Sequence, residues 1–327
     1  DYPTIQEGID ATVDGDSIRI SEGNYYESMI NPLGKDIIIS GDIDVNGYPL
    51  VIIDGQGEES VTFMFNGADG PGCTLENLII SGSAGNAIWM YFSNPIIRNC
   101  IISNNVGLGG AAVWGSDSDP WIDNCTFINN STNIIFQNYS NAIITDCMFI
   151  NNLNTYSMNS IILTQSSFIN LIDSEFDGNS IYGGQVVLFG YNYGGYASIQ
   201  GCLFHNYINP ILDITRTNLA IVNSQFQNND SDGPLIIIHE EEPVEVLIMT
   251  TDFCQNGSSN PDILIEGPWI DYVDNNFTEN CEDAILGDIN NDETVNILDV
   301  IILVNHILSP AAVELDGADL NDDGDVN

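Results

Sequence analysis

The feature that most constrains the fold of this chain is an internal repeat. The phrases PIIRNCIISNN (95–105), PWIDNCTFINN (120–130) and AIITDCMFINN (142–152) are versions of one pattern, and weaker copies follow along the chain. A pattern that recurs at a roughly constant interval of about 20 to 50 residues indicates stacked structural units. The chain is therefore expected to build its core by stacking one short unit on the next.

One apolar residue near the end of each phrase marks the phase of the repeat. Successive markers are separated by about 25 residues, a period in the range expected of stacked units. The markers are Ile80, Ile102, Phe127, Phe149, Phe176, Phe204, Phe226, Phe253 and Phe277. An apolar residue also stands five positions before the marker, which predicts a second core position, at Ile97, Ile122, Ile144, Leu171, Ile199, Ile221, Ile248 and Tyr272.

A small residue stands two positions before the marker, and strand alternation places it on the same inward face. The predicted core thiols and hydroxyls are Cys100, Cys125, Cys147, Ser174, Cys202, Ser224 and Thr251. Three positions before the marker the chain carries residues that tolerate left-handed backbone and so indicate a corner. These are Asn99, Asn124, Asp146, Asp173, Asn223 and Asp274. A further asparagine closes the turn after the marker, at Asn105, Asn130, Asn152, Asn179, Asn229, Asn256 and Asn280.

A second apolar segment lies between successive phrases, for example AIWMY (87–91) and QVVLF (185–189). These segments are too short, too β-branched and too often interrupted by Asn and Gly to be helices. Each repeat is therefore one coil of short parallel strands. Stacking of roughly ten such coils at about 4.8 Å gives a rod of about 50 Å, with aligned Phe, Cys and Asn residues forming ladders along the axis.

These residues resemble the right-handed parallel β-helix proteins of the pectate-lyase-like superfamily. The resemblance covers approximately residues 1–286. It implies an all-β solenoid whose first coil is capped by a short amphipathic helix, here YPTIQEGID (2–10). A cap is physically required, because an open first coil exposes a strand edge and core side chains.

The charge of the chain restricts its partners. Four Lys and Arg against 47 Asp and Glu give a formal net charge of −43. Such a chain repels nucleic acid and anionic membranes and attracts divalent cations. The sequence begins at Asp1 and contains no apolar run of about 20 residues, so a processed, secreted or surface-attached extracellular protein without a transmembrane segment is expected.

The pattern changes after Leu286, where GDINNDETVNILDVIILVNHIL (287–308) has the spacing of a calcium loop followed by a helix. Oxygen-bearing residues occupy loop positions 1, 3, 5, 7, 9 and 12, which is how a 12-residue loop surrounds calcium. They are Asp288, Asn290, Asp292, Thr294, Asn296 and Asp299. A second loop opens 31 residues later with Asp319, Asn321, Asp323 and Asp325.

Two such loops resemble a type I dockerin, which implies calcium as cofactor and a cohesin-like scaffold domain as partner for residues 287–327. Two departures stand out. Glu293 replaces the glycine expected at position 6, and the second loop stops at Asn327 before its position 12, so the second repeat is expected to be truncated. An open calcium site there also predicts self-association of the chain into an extracellular assembly through 288–327.

Catalytic candidates are weak. Asp146 and Asp173 share a repeat position in adjacent coils and are expected about 5 Å apart, and Glu175 and Asp177 lie near them in the sequence. Such a group fits a solvated surface, a cation site or a retaining glycosidase pair. His239 beside Glu240, Glu241 and Glu242 is either a metal site or an exposed turn.

Two further groups of residues leave alternatives open. Cys254 and Cys281 lie off the core ladder and are either disulfide-bonded or separate thiols. Five aromatic residues form either a sugar-stacking patch or packing and isolated surface positions. They are Trp114, Trp121, Tyr191, Tyr193 and Tyr196.

Two functions therefore compete. The first is a non-catalytic extracellular structural or adhesive rod, attached or assembled through its calcium segment. The alternative is a carbohydrate-active enzyme, a polysaccharide hydrolase or lyase, docked on a cellulosome-like scaffold. The short coils leave little loop length for substrate subsites, and the chain has few basic residues to hold an acidic polysaccharide, which favours the first.

Overall fold

The computed structural model describes most of the repeat region. The described residues are 2–57, 61–67, 72–105, 112–130, 134–152, 160–177, 185–189, 195–208, 210–229, 233–239, 244–279 and 281. The chain forms two compact units, residues 1–279 and 280–327. The first unit is a right-handed parallel β-helix, as the repeat predicts. Among the described residues, no helix has the length and apolar character needed to cross a bilayer.

Among the described residues, nine coils contribute one strand to each of three parallel sheets, and the first and last coils contribute strands to only two of them. Strands are numbered here in chain order. Sheet A contains β1 Ser17–Ile20, β3 Ile38–Gly41, β6 Thr74–Glu76, β9 Ile96–Arg98, β12 Trp121–Asp123, β15 Asn141–Thr145, β18 Phe168–Ile172, β21 Gly195–Gln200, β24 Thr217–Val222, β27 Val246–Met249 and β30 Ile270–Asp271.

Sheet B follows sheet A in each coil. It contains β2 Gly23–Tyr25, β4 Val51–Asp54, β7 Leu78–Ser81, β10 Ile101–Ser103, β13 Thr126–Ile128, β16 Met148–Ile150, β19 Glu175–Asp177, β22 Leu203–His205, β25 Gln225–Gln227, β28 Asp252–Cys254 and β31 Asn276–Thr278.

Sheet C closes the coil. It contains β5 Phe63–Asn66, β8 Ile88–Tyr91, β11 Val113–Ser116, β14 Ile134–Gln137, β17 Ser160–Gln165, β20 Gln185–Phe189, β23 Leu212–Ile214, β26 Ile236–Ile238 and β29 Ile265–Glu266. Two helices complete the described elements, α1 Ile5–Asp10 and α2 Pro261–Leu264.

The core consists of the inward rows of the three sheets. The marker phenylalanines from Phe127 to Phe277 stack face to face, with ring centroids between 4.5 and 4.8 Å apart. The row five positions earlier, from Ile97 to Ile248, is fully buried. The predicted phase of the repeat is thus confirmed for these coils.

The final coil departs from the prediction. Tyr272, expected in the core, is 62% exposed. The cause is one extra residue in that coil: Ile248 is paired with Asp271, whereas Phe253 is paired with Phe277. The residue five positions before the marker is therefore pushed out of the strand, and the prediction for Tyr272 is wrong.

The corner between sheets A and B has the left-handed backbone that the sequence predicts. Positive φ angles between 46° and 63° occur at Asn77, Asn99, Asn124, Asp146, Asp173, Gly201, Asn223, Thr250 and Asp274. Asn and Asp are enriched in this conformation, and glycine adopts it without a steric cost. In the coils from Asn99 to Thr250 the next residue is small and buried, and this row includes the predicted thiols Cys100, Cys125, Cys147 and Cys202.

The corner between sheets B and C repeats this arrangement with asparagines. Asn104, Asn129 and Asn151 have positive φ, and the asparagine after each of them is buried. The Asn130 carboxamide donates to the Ile102 carbonyl at 2.7 Å and accepts from the Asn105 backbone N–H at 3.1 Å. These side chains therefore satisfy backbone groups of neighbouring coils. The buried asparagine ladder comprises Asn105, Asn130, Asn152, Asn229 and Asn256.

The corner between sheets C and A carries a serine ladder that the sequence pattern did not reveal. Ser93, Ser118, Ser140 and Ser167 are buried, each after a residue with positive φ. The Ser118 backbone N–H donates to the Ser140 hydroxyl at 3.1 Å. All three corners thus combine a left-handed residue with a buried small polar side chain that binds the adjacent coil.

The N-terminal helix caps the first coil, as the resemblance implies. Ile5 and Ile9 of α1 are buried, and the Thr4 hydroxyl accepts a hydrogen bond from the Glu7 N–H at 3.1 Å. The Glu27 carboxylate accepts from the Ile5 N–H at 2.9 Å, and Lys35 Nζ donates to the Ile9 carbonyl at 2.6 Å. Both ends of this short helix are therefore satisfied by side chains.

Candidate functional site

Asp146 and Asp173 lie at the left-handed corner between sheets A and B, on adjacent coils and exposed to solvent. Partial desolvation and the neighbouring carboxylates of Asp123 and Asp173 raise the pKa of Asp146 above its usual value. These two carboxylates belong to the preceding and the following coil, and like charges on both sides disfavour ionisation of the group between them. This electrostatic coupling is the property of the corner that most resembles an acid–base site.

Glu175 and Asp177 occupy a different place, the outer face of sheet B. His205 lies on the next coil, with Nε2 2.9 Å from Glu175 Oε1 and Nδ1 3.7 Å from Asp177 Oδ1. The Asn206 carboxamide donates to Asp177 Oδ1 at 2.6 Å. The four acidic candidates are thus divided between the corner and the sheet face, and the second pair is held in hydrogen bonds between coils.

The sequence pattern did not identify His205 as part of this group. A signal was present, because Asp177 and His205 both directly follow a marker phenylalanine and are paired in the register of β19 and β22. The interaction is between coils, so the histidine stands a whole repeat after the aspartate in the sequence. Its arrangement fits a cross-coil hydrogen-bonded link on the rod surface.

The second candidate, His239, has its Nε2 2.9 Å from Asp213 Oδ1 on the adjacent strand β23. Glu240, Glu241 and Glu242 lie outside the described residues. Within the described ranges, no group of three or more His, Cys, Asp or Glu side chains is placed to hold a metal ion.

The core thiols are chemically protected. Cys73, Cys100, Cys125, Cys147 and Cys202 are buried and are not disulfide-bonded. Burial raises the pKa of Cys100 and Cys125 and raises that of Cys202 to about 12, so these groups stay protonated at neutral pH. Cys254 and Cys281 are disulfide-bonded, which settles the alternative that the sequence left open.

The aromatic residues named from the sequence do not form one patch. Trp114 lies on the outer face of sheet C and stacks on Trp89, with ring centroids 5.6 Å apart. Trp121 and Tyr196 lie on the outer face of sheet A. Tyr191 and Tyr193 lie outside the described residues.

The predicted calcium ligands also lie outside the described residues. They are Asp288, Asn290, Asp292, Thr294, Asn296, Asp299, Asp319, Asn321, Asp323 and Asp325. Their assignment stays a prediction from loop spacing.

Comparison with protein families bears on both parts of the chain. The family described as right handed beta helix region matches residues 42–193. The family described as dockerin type I domain matches residues 286–327. A comparison with curated proteins gives no match.

Proposed function

The chain combines a right-handed parallel β-helix with a type I dockerin domain, and on this basis we propose that it is a non-catalytic structural or adhesive rod of an extracellular assembly. The two domains together indicate a cellulosome-type extracellular protein. Type I dockerins bind calcium and cohesin domains. In this proposal the dockerin, with its two calcium loops, attaches the rod to a cohesin-like scaffold, and the β-helix presents its outer faces to the surroundings.

The observation that carries the rod proposal is the ladder at each corner of the coils. Buried Cys, Asn and Ser side chains accept hydrogen bonds from backbone N–H groups of the adjacent coil. For example, the Asn105 N–H donates to Asn130 Oδ1 at 3.1 Å. Satisfied buried polar networks rigidify a fold. On the outer face, Glu175 and Asp177 make side-chain hydrogen bonds to His205 and Asn206 of the next coil.

Attachment through the dockerin is tested by titrating the full chain with a type I cohesin in a calorimeter, with calcium and then with EDTA. Binding is expected only with calcium, because the segment that carries the loop ligands needs the ion in order to fold. Asp288→Ala combined with Asp292→Ala removes loop positions 1 and 5 and should abolish binding. Glu245→Ala, an exposed acid on the rod, is the matched control and should bind normally. Equal binding in EDTA would refute the attachment.

The alternative function, a polysaccharide hydrolase or lyase, is favoured by one observation, the raised pKa of Asp146 beside Asp123 and Asp173. General acids in glycoside hydrolysis have raised pKa values. Reducing-sugar and unsaturated-product assays over a panel of glycans separate the two functions. Turnover by the natural chain that Asp146→Asn abolishes would replace the rod proposal with the enzymatic one.

A further inference from the structure

Four large apolar side chains point to solvent from the outer face of sheet A on four consecutive coils. They are Trp121 of β12, Ile143 of β15, Phe168 of β18 and Tyr196 of β21, which are 43%, 40%, 39% and 60% exposed. We call this set the aromatic face. Its members come from separate coils, and the coils lie about 4.8 Å apart, so the face extends along the axis of the rod.

These side chains contribute little to the core. The inward residues of the same strands, Ile122, Ile144, Leu171 and Ile199, are fully buried, and strand alternation directs the aromatic face the other way. A group of exposed large apolar residues marks an interaction site rather than ordinary surface. The coils therefore have a packed interior without these residues, and the residues need another explanation.

The orientation of Trp121 is fixed by a chain of hydrogen bonds. Its indole Nε1 donates to Thr145 Oγ1 on the next coil at 2.9 Å, and that hydroxyl donates to Asp123 Oδ1 at 2.5 Å. The indole thus leans along the sheet from β12 toward β15. A surface ring that is already ordered loses little side-chain entropy when it binds a partner.

Two further aromatic rings, on the next coils, extend the aromatic face. Phe168 and Tyr196 stack with centroids 5.7 Å apart and ring planes within 7°. Neutral polar side chains interleave with the rings: Asn141, Asn170 and Gln200 are exposed in the same strands. No hydrogen bond among the described residues engages the side-chain amide of Asn170 or Gln200, so both amides keep donors and acceptors for a ligand.

The charge of the chain selects the class of partner. Asp119 and Asp123 are the acids at this end of the face, and the whole chain carries −43. Anionic polymers are therefore repelled, and so is a second copy of this chain. An uncharged sugar chain offers apolar C–H faces to the aromatic and aliphatic side chains and hydroxyl groups to the amides.

Trp121 is paired with Ile143, whereas Phe168 is paired with Asn141 and stacks on Tyr196, so the two pairs lie in rows two residues apart. A linear polymer that crosses the four coils at a slant to the axis therefore meets one large apolar side chain on each of them.

We propose that the aromatic face binds an uncharged polysaccharide that crosses the coils of the β-helix at a slant to its axis. This inference deepens the proposed adhesive function and rests on it: the dockerin attaches the rod, and the aromatic face holds the glycan. The two parts are separable by experiment, because cohesin binding is measured with a different partner and depends on different residues.

The test is affinity electrophoresis of the full chain with calcium, in native gels that contain soluble glucomannan, xyloglucan, mixed-linkage β-glucan or, as the charged comparison, polygalacturonate. At least one neutral polymer should retard the natural chain. Trp121→Ala combined with Tyr196→Ala should weaken that binding by about tenfold or more, the size of effect expected for central aromatic contacts. Tyr48→Ala removes an aromatic side chain of similar exposure, 54%, elsewhere on the rod and should bind as the natural chain does.

Three outcomes would overturn the inference. The natural chain runs unretarded in every neutral polymer, the double variant binds as well as the natural chain, or polygalacturonate retards the chain more than the neutral polymers do. Sedimentation equilibrium tests whether a second copy of this chain occupies the aromatic face instead. A dimer that the natural chain forms and the double variant does not form would assign the face to self-association. Unchanged thermal melting of the variants shows that they are folded, and unchanged cohesin binding keeps the proposed function separate.

Discussion

The two corners that flank sheet B use asparagine for different physical reasons. At the corner between sheets A and B, Asn124 has positive φ and an exposed side chain whose amide lies 3.4 Å from Asn99 Oδ1. At the corner between sheets B and C, Asn130 is 2% exposed and bonds with both neighbouring coils. The first corner selects a backbone conformation and so also accepts Asp173, Gly201 and Thr250. The second selects a buried carboxamide.

The largest effect on the free energy of unfolding is expected from the inward phenylalanine row of sheet B, which lies between the two corners. Phe176→Ala removes a fully buried ring stacked on both sides and should lower the free energy of unfolding by about 3 to 5 kcal/mol. Asp177→Ala, the next residue on the outer face, should change it by less than about 0.5 kcal/mol. Denaturant unfolding of the two variants measures both values, and similar losses would mean that the inward row is wrongly assigned.

The buried corner should come next. Asn130→Ala deletes the acceptor of the Asn105 N–H and the donor to the Ile102 carbonyl, which leaves buried backbone groups unpaired. Unpaired groups of this kind cost about 1 to 3 kcal/mol each, and a total loss of about 2 to 4 kcal/mol is expected. Asn129→Ala, the exposed residue before it, is a control for the backbone contribution alone. If Asn130→Ala lowered the free energy of unfolding no more than Asn129→Ala does, the buried carboxamide would not be what the second corner requires.

A smaller effect is expected at the exposed corner. Asn124→Ala places alanine in a left-handed conformation that asparagine tolerates better through its short polar side chain, which should cost about 1 kcal/mol. Asn124→Gly removes that cost and should restore stability to within about 0.5 kcal/mol of the natural chain. The difference between these two variants in urea melts measures the conformational requirement. Failure of glycine to recover the loss would show that the Asn124 side chain itself is needed.

The smallest effect is expected where the exposed corner carries a carboxylate. The folded-state pKa of Asp146 is raised, so its ionised form is disfavoured in the native coil. Ionisation of Asp146 therefore lowers the free energy of unfolding. This loss is absent below the unfolded-state pKa of the carboxyl and appears as the pH rises through its folded-state pKa. Asp146→Asn should therefore stabilise the fold at neutral pH, by less than about 0.5 kcal/mol because the group is exposed. Thermal melting at several pH values should show the gain vanish in acid, and a gain that grows in acid would contradict the sign.

The sequence by itself determined the architecture and the inward rows. The marker phenylalanines and the residues before them are set by strand alternation, which is a local property, and the left-handed corners follow from where Asn and Asp stand. The calcium loops before and after the predicted helix stay a prediction, made from the spacing of oxygen-bearing residues within one segment. For these reasons the β-helix and the dockerin resemblance could both be read from residues a few positions apart, and the family matches agree.

Only the tertiary structure decided which outer side chains meet. Coil lengths vary along the chain, so the outward register from one coil to the next is not fixed by the marker alone. The marker pairs Asp177 with His205, but the contact of the His205 ring with Glu175, the support of Trp121 by Thr145 and the extra residue that exposes Tyr272 depend on the geometry between coils. The physical reason is that a surface site on a solenoid is assembled across coils, whereas each coil's core position is encoded within its own strand.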